Sequence, residues 1–194
     1  MALEKFGIKE VADVKFFKIG DVTGVTGNGI TFAEGKSAKD AVLTLDTLKV
    51  STIEFTAEQS EARGGKGNAP LIIWDYGREV NVTLEDALVS MDTLALLFGD
   101  TDSAVIEINA NKFPGNYTVI GRTFARDQKT GDDHLFTFHI PNAKIQSENT
   151  LTMEAEGDPT VFNMSLRVLR GDNGKMMELV ADVDTAYTGA DIWA

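Results

Sequence analysis

Along most of this chain apolar and polar residues alternate one for one, and that two-residue period constrains the fold more than any other feature. Successive side chains of a strand point to opposite faces, so the alternation gives each strand one buried face and one wet face. From Thr160 to Arg170, Phe162, Met164, Leu166 and Val168 fall on one side while Asn163, Ser165 and Arg167 fall on the other. Leu135 to Ile140 repeats the pattern, with Phe136, Phe138 and Ile140 set against Thr137 and His139. Further strands are expected at Val11 to Ile19, Val42 to Thr47, Val50 to Ala57, Ala69 to Tyr76 and Glu79 to Val82. Beyond these come Ala104 to Ala110, Gly115 to Ala125, Thr150 to Glu156 and Met176 to Ala181. Clusters of Gly, Asn, Asp and Pro separate the segments, as turns require.

One stretch follows a helical period instead. Leu84, Ala87, Leu88, Met91, Leu94, Ala95 and Phe98 form a stripe, with Thr83 in N-cap position and Glu85 and Asp86 in the first turn, where the helix dipole favours negative charge. Gly99 supplies a left-handed stop. The reading is a mainly β chain, a β-sandwich or barrel with one flanking α-helix at about residues 83–98.

At 194 residues the chain can bury a single core, and it is read as one domain spanning 1–194. Three stretches lie outside that core. Gly20 to Lys39 is glycine-rich and reads as an insertion or a mobile hairpin. Glu58 to Asn68 is a polar, glycine-rich loop between two strands, long for a plain hairpin. Asp182 to Ala194 is a C-terminal arm whose Tyr187, Ile192 and Trp193 give it apolar surface with which to dock on a neighbour.

Charge and residue usage remove several functions. Thirty acids against 18 bases leave a net charge of −12 with no concentrated basic face, which disfavours gripping a phosphate backbone. With no cysteine there is no disulfide framework, thiolate metal site or cysteine nucleophile. The start, Met-Ala-Leu-Glu-Lys-Phe, does not read as a secretory signal, and no apolar run is long enough to span a membrane.

Gly64-Gly65-Lys66-Gly67 has Ser60 where a phosphate loop needs glycine, and Gly67 where it needs Ser or Thr. His134 and His139, five apart in a strand, point to opposite faces and cannot share a metal. There is no Gly-x-Ser-x-Gly elbow, and no two acids stand out as a glycosidase pair. Asp100-x-Asp102 and Asp172-Asn173-Gly174 read as turns rather than calcium loops. The expectation is a protein that is not an enzyme and carries no cofactor and no metal.

Four blocks carry a family resemblance. They are Leu45-Asp-Thr-Leu-Lys-Val-Ser-Thr-Ile-Glu54, the loop Glu61-Ala-Arg-Gly-Gly-Lys-Gly-Asn68, Leu71-Ile-Ile-Trp-Asp-Tyr-Gly77 and Asn81-Val-Thr-Leu-Glu-Asp-Ala-Leu88. Together with Phe138 to Ile145 and Leu151 to Phe162, their order resembles that of bacteriophage tail tube proteins, also called major tail proteins, over roughly residues 42–170.

The resemblance implies a structural virion protein that self-assembles into stacked hexameric rings, the conduit for genome delivery. It is made in the host cytoplasm and ends in the virion tail. The implied partners are other copies of itself, a tape-measure protein inside the tube, tail terminator and baseplate or tip proteins, and a sheath if the tail contracts. DNA passes through without specific binding, and no membrane is involved. The loop 58–68 matches the inter-ring loop of that family, which makes Glu58, Glu61, Arg63, Lys66 and Asn68 candidate contacts between rings, with Tyr187, Ile192 and Trp193 as candidates on the arm. The residues alone also admit a monomeric β-barrel or sandwich binding module for a small ligand or carbohydrate. Under the tube reading the excess acid should gather on the lumen-facing sheet; under the monomer reading it serves solubility.

Overall fold

The computed structural model describes residues 4–27, 29–100, 104–146, 161–171, 173–189 and 191–193. Among them the chain runs through β1 (Phe6–Lys18), β2 (Val22–Val25), β3 (Ile30–Phe32), a 3-10 turn (Ala38–Asp40), β4 (Leu43–Leu45), β5 (Leu48–Gly64) and β6 (Ala69–Asp86). There follow α1 (Met91–Phe98), β7 (Asn116–Asp127), β8 (Asp133–Ile145), β9 (Phe162–Val168) and β10 (Glu178–Ala181). The chain is mainly β, antiparallel, with a single α-helix among the described residues, as the alternation predicts.

Strand order in the main sheet is β4-β1-β7-β8-β9-β6-β5. β8 shares one edge between two neighbours: Phe136 to His139 pair with β10, and Ala143 to Ile145 pair with β9. β4 and β5, at the two ends of the order, are consecutive in sequence, so the sheet curls until its halves face each other. Between them lie Val14 and Phe16 of β1, Leu43 and Leu45 of β4, Val80, Val82 and Leu84 of β6, Phe138 and Ile140 of β8, and the inward residues of β9. Leu96 and Leu97 of α1 close one end of that core.

A second cluster sits on the outer face. β2 and β3 form a hairpin that packs Val22, Val25, Ile30 and Phe32 over Phe17 and Ile120. This is where the glycine-rich Gly20 to Lys39 segment goes. It also explains why Thr137 and His139, expected on a wet face, are buried: β8 is covered on both sides there.

Several sequence expectations need correction. The helix does not begin at Thr83. Val80, Val82, Leu84 and Asp86 are alternately buried in β6, and Asp86 accepts a hydrogen bond from the Thr47 hydroxyl. The run Leu84 to Leu88 satisfies both periods, and pairing of β6 with both β5 and β9 decides for strand. The helix starts after Ser90, whose hydroxyl accepts from the Thr93 amide at 3.0 Å. It ends at Gly99, at φ +71°, as expected.

Val50 to Ala57 is part of a strand that runs on to Gly64, so most of the expected loop 58–68 is strand. Ala69 to Tyr76 and Glu79 to Val82 are one strand, not two. Ala104 to Ala110 is not a strand but an irregular stretch over the helix C-terminus, where the Glu107 amide donates to Asp100. Thr150 to Glu156 lies outside the described residues.

Gly121 on β7 stands directly opposite Phe138, and a methyl added there would fall inside the Phe138 ring. Gly121→Ala should therefore overpack the core and cost about 2 kcal/mol. Urea denaturation should show a lowered midpoint with an unchanged slope.

Candidate functional site

Pairing between β5 and β6 continues well past the point where the sheet supplies neighbours. β6 is flanked by β9 only from Asn81 to Asp86. Farther out, from Glu58↔Tyr76 to Gly64↔Ala69, β5 and β6 have only each other among the described residues. Eight residues from Ala57 to Gly64 extend about 25 Å at strand rise. The ribbon leaves the sheet through a bulge, where β6 gains a residue on β5 and Gly77 takes φ +61°. It reverses in a turn with Gly65, Gly67 and Asn68 in the left-handed region, closed by the Asn68 amide on the Gly65 carbonyl at 3.2 Å.

Every residue from 65 to 79 is exposed. Directly paired residues share a face, so Ile72, Trp74 and Tyr76 lie on one side with Ala62, Ser60 and Glu58. The other side carries Ile73 beside Glu61, and Gln59, whose amide donates to Asp75 at 2.8 Å. Arg63 pairs with Glu61 at 2.6 Å on the same ribbon. Leu71, Ile72, Ile73, Trp74 and Tyr76 are each more than half exposed. Contiguous apolar surface on a two-stranded edge marks an interaction site, because a monomer gains nothing from it and risks aggregation.

Of the candidate contact residues, the structure gathers Glu58, Glu61, Arg63, Lys66 and Asn68 on this one ribbon, with Lys66 and Asn68 in its tip turn. Tyr187 and Trp193 lie elsewhere, on the chain's own sheet. The Tyr187 ring meets Phe124 at 4.8 Å, and its amide donates to the Asp133 carbonyl at 2.7 Å. Trp193 packs on the Phe17–Ile120 cluster, donates Nε1–H to Asp13 at 3.0 Å, and lies under Lys15 and the buried Arg122 guanidinium. Burial pushes the Arg122 guanidinium below its ordinary value, against the pull of Asp191. Ile192 is half-buried.

Sequence reading missed the apolar anchors of the ribbon. Leu71 to Trp74 looks like a buried core strand; the available signal was that four consecutive apolar residues belong to both faces, flanked by a stretch too polar to cover either.

A cleft of about 420 Å³ lies between β2 and Gly171, Asn173, Lys175 and Glu178, with Thr118, His139 and Asn142 also in its wall. His139 Nδ1–H donates to Glu178 Oε2 at 2.9 Å, and Lys175 binds the other carboxylate oxygen. His134 instead donates from Nδ1 to the Asp182 carbonyl at 2.9 Å. The two histidines occupy opposite faces of β8, and among the described residues no three His, Asp or Glu side chains gather closely enough to hold a metal.

Lys175 first, and His139 second, hold the Glu178 carboxyl below its usual range. A depressed folded-state value contributes stability above the ordinary carboxylate range and loses it as pH falls through the lowered value. Glu178→Gln should therefore cost about 0.5–1 kcal/mol at pH 7, and the difference from the parent chain should shrink in parallel urea titrations as pH falls through the lowered carboxyl value.

A family model described as the YomU/Tube protein family matches residues 6–102 and 99–179, which takes in nearly every described strand. No curated protein matches this chain. The match and the resemblance read from the sequence agree: the chain belongs to the YomU/Tube protein family, a family of phage tail tube proteins, and is a structural component of the virion tail.

Proposed function

We propose that this chain is the repeating subunit of a tail tube, assembled as stacked hexameric rings through which the genome is delivered. The observation that carries the reading is the free β5–β6 ribbon with its exposed Ile72, Trp74 and Tyr76. A ribbon that projects about 25 Å beyond its own sheet can reach a neighbouring subunit, and its apolar faces leave water only when another chain covers them.

Glu61, Arg63 and Lys66 then set register between copies, while the apolar side chains supply affinity. Tyr187 on Phe124 and Trp193 on the Phe17–Ile120 cluster finish each subunit's outer face. Tape-measure protein fills the lumen before DNA does, and terminator and tip proteins close the two ends.

Residues 57–79 hold four acids and three bases, close to their proportional share of the −12, so the ribbon is neither spared nor loaded with acid. In the tube reading, acids that face the lumen have a use. Carboxylates lining a lumen repel DNA phosphates and give the genome no site at which to stall.

Ile72→Ser with Trp74→Ser alters only exposed positions, so thermal stability should shift by no more than about 0.5 kcal/mol. Negative-stain electron microscopy of the concentrated protein should show rings or tubes for the parent chain and dispersed subunits for this variant. Tubes from the variant as readily as from the parent would remove the ribbon from the interface.

A further inference from the structure

Asn173 and Gly174 lie between β9 and β10, with Asn173 in the wall of the cleft beside β2. Asn173 Oδ1 accepts from the Lys175 backbone amide at 3.0 Å, which folds the side chain forward along its own backbone. The ring closed by that hydrogen bond contains both the side-chain carbonyl carbon, Cγ, and the Gly174 nitrogen.

The surroundings of those two atoms suit a reaction between them. Gly174 has no side chain to hold Cγ off its nitrogen, and at φ +82° it occupies the left-handed region that favours glycine. Its N–H donates to the Gly171 carbonyl at 2.9 Å, which fixes where the nitrogen sits. The nearest atoms to the place a Gly174 Cβ would take belong to the Arg170 guanidinium, with Nη2 at 3.5 Å. A cation so placed, and the Lys175 N–H on Oδ1, both favour the negative charge that develops when an amide nitrogen attacks a carbonyl. Asn173, Gly174 and Lys175 are exposed, so water reaches the site.

We infer that Asn173 is a self-modification site, an asparagine that the folded chain converts to aspartate and isoaspartate through a cyclic imide. The Gly174 nitrogen gives up its proton to hydroxide and bonds to Asn173 Cγ. The Cγ–Nδ2 bond breaks, and Nδ2 leaves as ammonia with a proton taken from water. Water then adds to either imide carbonyl and opens the ring, so the net reaction consumes water, releases ammonia and needs no oxidant or reductant. Holding the two reacting atoms within one closed turn supplies the proximity that the step requires. Either product adds a carboxylate between Arg170 and Lys175 in the sequence. Isoaspartate also lengthens the main chain by a methylene just before Lys175, whose ammonium holds the Glu178 carboxylate, and Glu178 in turn accepts from His139.

Peptide mapping by mass spectrometry of the full chain, held at mildly alkaline pH, reads the reaction at residue 173 directly. Asn173 should convert at least as fast in the folded chain as in the same chain unfolded in guanidinium chloride. Asn116 and Asn142, paired with each other at 3.1 Å and followed by Tyr117 and Ala143, should keep their amides. Gly174→Ala should slow the conversion roughly tenfold by holding Cγ away from the nitrogen. Asn173→Gln, which would need a larger imide ring, should give no product there. Conversion several-fold slower in the folded chain than in the unfolded one would overturn the inference, since the fold would then protect the site. Conversion at an unchanged rate in Gly174→Ala would overturn it equally.

Discussion

Backbone pairing between β5 and β6, continued beyond the last residue that β9 can reach, sets the terms for the rest of this molecule. A two-stranded ribbon by itself is marginal in water, since its outer edges are unpaired and neither face is covered. Here it is held by its root, where Val80, Val82 and Leu84 are sealed between the halves of the sheet. The same two strands therefore build the core and carry the surface offered to other copies.

Magnitudes explain why such a subunit can be soluble alone and still assemble. Burying one large apolar side chain from full exposure contributes about 1.5–3 kcal/mol, and the five on the ribbon start about half exposed, so together they give on the order of 5 kcal/mol before costs. Association costs an estimated 4–15 kcal/mol in lost freedom. A single ribbon contact is thus break-even at best, and stability comes when each subunit is engaged by several neighbours together.

Much of the fold is legible in the sequence because alternation is decisive where one face is core and the other is wet, as in Phe162 to Val168. It fails where a strand is buried on both sides, as at Thr137 and His139, and where one run fits two periods. Leu84 to Leu88 is such a run, and only pairing with β5 and β9 makes Leu84 strand and leaves Leu88 outside it. The polar half of the site, Glu58 to Asn68, is legible as a projecting segment. Its apolar half is not, because Leu71 to Trp74 carries the composition of a core strand, and composition does not say whether the covering chain is this one or another. Trp193 shows the converse: its apolar bulk suggested a neighbour, while the nearest apolar surface with a hydrogen-bond acceptor is its own sheet at Phe17, Ile120 and Asp13.

The central claim is that the ribbon's faces are completed by other copies. Amide hydrogen exchange across residues 57–79, compared between dispersed subunits and assembled protein, tests it most directly. The account predicts rapid exchange in the subunit and strong protection on assembly, while the strands around Val82 and Leu166 are protected in both. Ribbon amides already protected in the dispersed subunit, or equally fast in the assembled state, would contradict it.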